Sequence, residues 1–582
     1  MNPATAQAEV IVDELARSGV RQVVLCPGGR SAPLARALHR AADSGRLELH
    51  VRVDERSAAF LALGLAQGSG RPVPVVCTSG TAVANLHPAV LEAHYARIGL
   101  LLLTADRPPE LHHTGASQTI AQFGLFGMAA RAIEFPIAER RSGQNPVWRD
   151  LICRAIAWAG AGQPVQLNIP FREPLTPVLD RTWSDDLMGR PDGKPWTTLP
   201  ERDVVFRNHT GIELPANTLV VMGSSDPQRV RAVAEVAAEA GWPVIAEPTA
   251  VAPARQSGAS VLRCGVLLLA GGELPTGIRH LPSPLRPEAV LLVGRPTLSP
   301  DVGPVVGDVP VLSVDAYPEW SDPAHTVRHV EEWLDVDDVP HAKDPNSKWL
   351  DLWAHADRTV AAVVDEALDA EPSLTGLRVA RDLMAALPPQ AMLFLGASNT
   401  IRDIYMAAEA RADVTVHANR GVAGIDGNIS TAVGLALGLN SPEGPKFPCY
   451  ALMGDLTFLH DTNGLLVGPE ERRPNLTLVV LNDHGGGNFS LLPDGAPEHR
   501  RGFERVFATP HDTDLAELCA AHHVAHTVID DPGQLAAVLH QPPVGLRVAE
   551  IRADRDILRI QHIRLHKALT AVAASMLNAA PA

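Results

Sequence analysis

The sequence predicts an α/β protein of three doubly wound, parallel-sheet units, and three observations predict it. Short apolar runs of strand length alternate with helical patterns along most of the chain. Two stretches rich in Pro and charge interrupt that alternation, near 180–215 and 335–347. The length of 582 residues exceeds one ordinary domain, about three or four being the expectation at typical domain sizes. Short, continuously apolar strands between helices imply a parallel sheet covered on both faces.

The elements follow in order. Residues 4–18 place Ile11 and Leu15 on one helical face, and Gly19 can end that helix. Val23–Cys26 is a strand, Pro27–Arg30 a turn, and Ser31–Ala42 a helix. Leu47–Val53 is a strand, after which Asp54-Glu55-Arg56 opens a helix. Val73–Cys77 is a strand that runs into the loop Thr78-Ser79-Gly80-Thr81, and Leu100–Thr104 is a strand ending at Ala105-Asp106-Arg107-Pro108. In such sheets ligands gather at the carboxyl ends of the strands, where Glu55, the 78–81 loop and Arg107 all fall. The expected division is 1–185, a linker at 186–215, a central unit at 216–340, and a third at 341–582. The central unit opens with a strand at Thr218–Gly223, a helix at Gln228–Ala240 and a strand at Val244–Ala246. The third has strands near 392–395, 414–417, 449–453 and 475–481.

Composition narrows the class. The 46% hydrophobic content suffices for large cores, and 4% aromatics means those cores rest on Leu, Val, Ile and Ala. The net charge of −16 (50 Lys and Arg against 66 Asp and Glu) disfavours nucleic acid and anionic membrane as partners. Six scattered cysteines without a CxxC pair argue against a disulfide framework or zinc site and for a reducing compartment. No basic, then apolar leader opens the chain, and no apolar run has the length of a membrane span, so a cytoplasmic protein is expected.

The strongest chemical signal is Gly454-Asp455 after one apolar strand and Asn482-Asp483 after the next. If those strands are adjacent and parallel, Asp455 and Asp483 meet. Two carboxylates and a carbonyl from the Gly485–Gly487 run would form a hard-oxygen site suited to magnesium and phosphate oxygens, and the glycines let backbone approach a phosphate closely. Taken singly, each Asp is an ordinary turn or cap residue, and Glu55 an acid at a helix N-terminus capped by Asp54.

This arrangement resembles the diphosphate–magnesium motif of thiamine-diphosphate enzymes. The likeness implies thiamine diphosphate with Mg2+ (or Mn2+) as cofactors. It also implies Asp455, Asp483 and the Gly485 carbonyl as metal ligands, with Asn482 an alternative to Asp483. It makes Glu55 the catalytic carboxylate against the aminopyrimidine ring.

Longer phrases narrow the resemblance: Cys26-Pro27-Gly28-Gly29-Arg30-Ser31-Ala32-Pro33-Leu34, Asp54-Glu55-Arg56, Thr78 to Asn85, Thr104 to Glu110, and Asn419-Arg420-Gly421-Val422-Ala423-Gly424-Ile425-Asp426-Gly427. They are similar to the synthases of menaquinone biosynthesis that join 2-oxoglutarate to isochorismate. That family implies cofactor contacts at Thr78, Ser79, Gly80, Ser398, Gly454, Leu456 and Phe489, with Ile425 as an apolar wedge. It implies substrate contacts at Arg30, Arg107, Gln118, Ser398, Arg402, Arg420, Phe489 and Leu492. Both substrates are dicarboxylates, which the planar fork of arginine binds bidentately. Pairing with surface carboxylates competes for these arginines, above all Arg402, and core packing for the three apolar residues. The family further implies a homodimer or homotetramer, with Glu55 of one subunit serving the diphosphate site of another. Gly29 stands where a Ser is usual, Ser117 replaces an Asn, Asn488 replaces an apolar residue, and Pro300 sits where many members are basic. These departures bear on substrate orientation.

Overall fold

The computed structural model describes residues 1–177, 183–199, 214–270, 281, 283–299, 309–316, 318–334, 336, 339, 347–441, 444, 446–499 and 501–565. It contains three six-stranded sheets whose strands all pair in parallel. The first comprises β1 (Gln22–Leu25), β2 (Glu48–Val51), β3 (Val73–Cys77), β4 (Leu100–Asp106), β5 (Arg131–Glu134) and β6 (Val165–Pro170), in the order β2-β1-β3-β4-β6-β5. The central sheet holds β7 (Thr218–Met222), β8 (Pro243–Ala246), β9 (Ser260–Val261), β10 (Ala289–Val293), β11 (Val311–Val314) and β12 (Val327–Glu331), ordered β12-β11-β10-β7-β8-β9. The third holds β13 (Met392–Leu395), β14 (Thr415–Ala418), β15 (Cys449–Gly454), β16 (Leu476–Asn482), β17 (Ala525–Ile529) and β18 (Leu546–Arg552), ordered β14-β13-β15-β16-β18-β17.

The first and third sheets therefore share one topology, each reversing direction between its first and third strands. Such switch points open a crevice at the strand carboxyl ends. The loops after β1 and β3 carry Arg30 and Thr78–Gly80. The loops after β13 and β15 carry Ser398 and Asp455.

The two sheets are joined through helices. Glu55–Ser69 starts at Asp54, whose carboxylate accepts the Arg56 N–H at 2.9 Å, and ends at Gly70 in the left-handed region. It packs along Asn428–Leu439, an almost wholly buried helix, so that Phe60, Leu61 and Leu65 share one core with Ile429, Val433 and Leu435. A Cβ on Gly64 would lie 2.1 Å from the Thr431 carbonyl oxygen, and one on Gly434 2.3 Å from that of Leu61. Gly64→Ala is accordingly expected to destabilise by about 1–3 kcal/mol, outweighing a helix-propensity gain of about 1 kcal/mol. An unchanged or raised melting temperature would overturn this packing argument.

Among the described residues no helix is long and apolar enough to cross a membrane.

Candidate active site

A cavity of about 160 Å³ opens at the switch point of the third sheet. Ser398, Ile425, Gly454, Asp455, Leu456, Asp483, Gly485 and Phe489 all line it, so every expected cofactor residue beyond residue 80 meets in one place. The departure Asn488 lines it too, putting an amide on the wall.

Register explains the meeting of the carboxylates. In β15 and β16, Gly454 pairs with Leu481, so the residues just beyond both strands emerge side by side. Asp455 begins a short helix and is buried. Its carboxylate accepts the N–H of Leu456 at 2.6 Å and of Gly485 at 2.8 Å, and lies 3.1 Å from His511 Nε2. Burial raises its pKa against the lowering effect of these partners. Asp483 is pushed up to about 8, by burial first and by the Asp455 charge second. A divalent cation between them would draw both back to the charged form, so this oxygen-donor set fits magnesium. Among the described residues no cluster of three or more His, Cys, Asp or Glu side chains forms a metal site. A Cβ on Gly487 would sit 1.9 Å from the Asp483 carboxylate, so glycine there is what admits that side chain. Asn482 is turned away: its amide donates to Glu550 at 2.7 Å, and its carbonyl accepts the His484 N–H.

The remaining expected residues stand apart from this cavity, whose lining runs only from Thr375 to Leu558. Glu55 is half-buried and accepts no hydrogen bond from a described residue. Beside it, Thr78, Ser79 and Gly80 are buried. Arg107 donates to the Ser79 hydroxyl, and Gln118 donates to the Ser79 carbonyl at 3.0 Å. Arg30 is buried, donates to the Phe171 carbonyl at 2.9 Å, and has its pKa lowered by burial and then by nearby Arg107. The exposed Glu173 carboxylate lies 3.7 Å from Arg30 Nη2, and the two cations side by side suit an anion. Gly29 and Ser117 are exposed; Pro300 lies outside the described residues.

Arg402 is exposed on the helix Asn399–Ala407 and hydrogen-bonds to no described residue, leaving it uncommitted. Arg420 is buried and donates through Nε and Nη2 to the Thr297 hydroxyl, at 2.9 and 2.7 Å. Phe489 and Leu492 are both exposed, the Phe489 ring 6.0 Å from that of Phe507, so neither is sealed in a core.

Sequence reasoning missed Thr297, Glu92, Glu247 and His511. Glu92 and Glu247 are buried acids whose carboxylates accept backbone N–H groups of other segments. A lone acid in the apolar context Ala89-Val90-Leu91-Glu92-Ala93 was the one signal available.

Two family models match the chain: the N-terminal TPP-binding domain of thiamine pyrophosphate enzymes over residues 6–125, and the C-terminal TPP-binding domain over 404–542. A 2-succinyl-5-enolpyruvyl-6-hydroxy-3-cyclohexene-1-carboxylate synthase of Saccharopolyspora erythraea is 51% identical, covering 98% of this chain and 99% of its own. Proteins of the same name from Mycobacterium marinum and Mycobacterium tuberculosis (strain F11) are 45% and 44% identical, each over 98% of this chain and all of their own. The chain thus belongs to the 2-succinyl-5-enolpyruvyl-6-hydroxy-3-cyclohexene-1-carboxylate (SEPHCHC) synthases, transferases of the thiamine-pyrophosphate enzyme class.

Proposed function

We propose that this protein decarboxylates 2-oxoglutarate and adds the remaining four-carbon unit to isochorismate, giving SEPHCHC for menaquinone biosynthesis, in the cytoplasm. The observation that carries this reading is the cavity holding Asp455, Asp483 and Gly485 together, in a chain where Glu55 has no hydrogen-bond partner among the described residues. Thiamine diphosphate, when bound, supplies the carbon nucleophile and electron sink that this decarboxylation and carbon–carbon bond formation require.

The chain's own residues would do the rest. Asp455, Asp483 and the Gly485 carbonyl hold Mg2+ or Mn2+ and, through it, the diphosphate. Gly454, Leu456 and Ser398 approach the cofactor from the same loops, and Ile425 wedges it. Glu55 holds a proton at the ring nitrogen, with Thr78–Gly80 beside it. Arg30, Arg107, Arg402 and Arg420 receive substrate carboxylates, Gln118 adds a hydrogen bond, and Phe489 and Leu492 exclude water. Glu55 follows β2 of the first sheet and does not line the cavity of the third. On the pattern of the thiamine-diphosphate enzymes, the minimal active unit is a homodimer in which Glu55 of one subunit completes the cavity of the other, and a tetramer is a pair of such dimers.

The test follows isochorismate loss with purified enzyme, 2-oxoglutarate, thiamine diphosphate and Mg2+, omitting each in turn. Loss should require all of them and stop on chelation by EDTA. Carbon dioxide release with isochorismate untouched would make the protein a different thiamine enzyme and remove the substrate assignment of the arginines.

A further inference from the structure

Arg420 follows β14 at the junction of all three α/β units, and two buried acids from the other two units fix it. On the side-chain side, the Thr297 hydroxyl accepts both guanidinium hydrogen bonds and itself donates to Glu247 at 3.4 Å. Glu247 also accepts the N–H groups of Leu298 at 2.5 Å and Ser299 at 2.8 Å, holding the Thr297 loop in place. On the main-chain side, Glu92 accepts three successive N–H groups, from Gly421 at 2.5 Å, Val422 at 2.7 Å and Ala423 at 3.3 Å. That loop lies directly on the helix His87–Ala96, since a Cβ on Gly421 would come within 2.3 Å of the Glu92 carbonyl oxygen.

Both acids satisfy themselves on backbone N–H groups. Neither lies within ion-pair distance of Arg420, which forms no direct salt bridge with a described residue. The guanidinium is thus oriented by hydrogen bonds, with the charges of Glu247 and Glu92 acting on it only at longer range than a direct ion pair. That is the condition for recognising a carboxylate, because a direct ion pair would compete with the ligand and a mobile side chain would lose more freedom on binding it. Ile425 lies five residues on from Arg420, downstream of the segment that Glu92 pins.

We propose that Glu92 and Glu247 are positioning residues for the reaction, setting Arg420 from two other domains with its charge left for a substrate carboxylate. This rests on the reading above that Arg420 meets substrate.

The experiment compares Glu92→Gln, Glu247→Gln, Arg420→Ala and the two double variants as full-length holoenzymes. It measures KM and kcat for 2-oxoglutarate and isochorismate, together with melting temperature. Each Gln variant should raise KM for one of the two substrates about tenfold with kcat within about threefold, the split expected when a binding geometry is lost. In the Arg420→Ala background the same substitution should change KM less than about twofold, because it acts through the missing side chain. Unchanged KM in both Gln variants, or effects that multiply fully with Arg420→Ala, would overturn the proposal even if melting temperatures fall. If Arg420→Ala alone leaves both KM values unchanged, the substrate role of Arg420 fails first and the proposal with it. Should a Gln variant not fold, the Asp variant gives the same readout, since it keeps the charge but shortens the reach.

Discussion

A Glu55→Gln enzyme is expected to bind thiamine diphosphate and magnesium within about threefold of wild type and to turn over about a thousandfold more slowly. The magnitude is that of losing one positioned acid–base group. Glu55 is the first residue of a helix whose start is fixed by Asp54, and Asp54 is fixed in turn by Asn463 at 2.8 Å. The backbone that presents the side chain therefore survives the substitution. Gln keeps the length and shape but cannot take up a proton as the carboxylate does. Affinity for the cofactor should persist, because the proposed diphosphate and metal ligands belong to a different sheet. Calorimetric titration of the cofactor, set beside single-turnover rates, separates the two effects. Near-normal turnover would remove Glu55 from the chemistry; normal chemistry in the fraction that binds, with weak binding overall, would make it a binding residue only.

What the sequence made legible follows from burial. β1, β3, β4, β7, β13, β15 and β16 are continuous apolar runs buried on both faces, and they lie within a few residues of where the pattern puts them. Of the edge strands, β2 and β14 were legible and the others were not. β5 (Arg-Ala-Ile-Glu), β12 (Val-Arg-His-Val-Glu) and β17 (Ala-His-Thr-Val-Ile) are half-exposed and polar, because an edge has one flank to water. Short β9 carries too few residues for any period. The loops of the cavity were readable because strand ends announce them. The choice between Asn482 and Asp483 was not, since both follow the same strand and only the Glu550 contact, 68 residues further on, draws Asn482 away. Glu92 was hidden for the same reason: its partners lie 329 to 331 residues away, and a periodic pattern carries no information about a contact that distant.

The common topology of the first and third sheets, each with its loops at a reversal point, gives the two half-sites equivalent positions on equivalent frameworks. In the proposed two-fold dimer the first-sheet crevice of one subunit would lie over the third-sheet crevice of the other twice, in one isologous interface. This makes the second large effect, at Asp455, informative beyond its size. Asp455→Ala removes a proposed metal ligand and leaves the N–H groups of Leu456 and Gly485 without their acceptor. Magnesium-dependent cofactor affinity should fall by about a hundredfold or more, and turnover with it. Asp483→Asn, by contrast, keeps an oxygen ligand and relieves the mutual repulsion of the two carboxylates, so it should retain activity within about tenfold. Mixing the two dead enzymes then decides where the site lies. If each site combines Glu55 of one subunit with Asp455 of the other, a hybrid of Glu55→Gln and Asp455→Ala subunits has one site carrying both lesions and one carrying neither. Random re-association should restore about a quarter of wild-type activity, since half the dimers are hybrids and half their sites are intact. If both residues serve a site within one chain, every site keeps one lesion and the mixture stays inactive at any ratio.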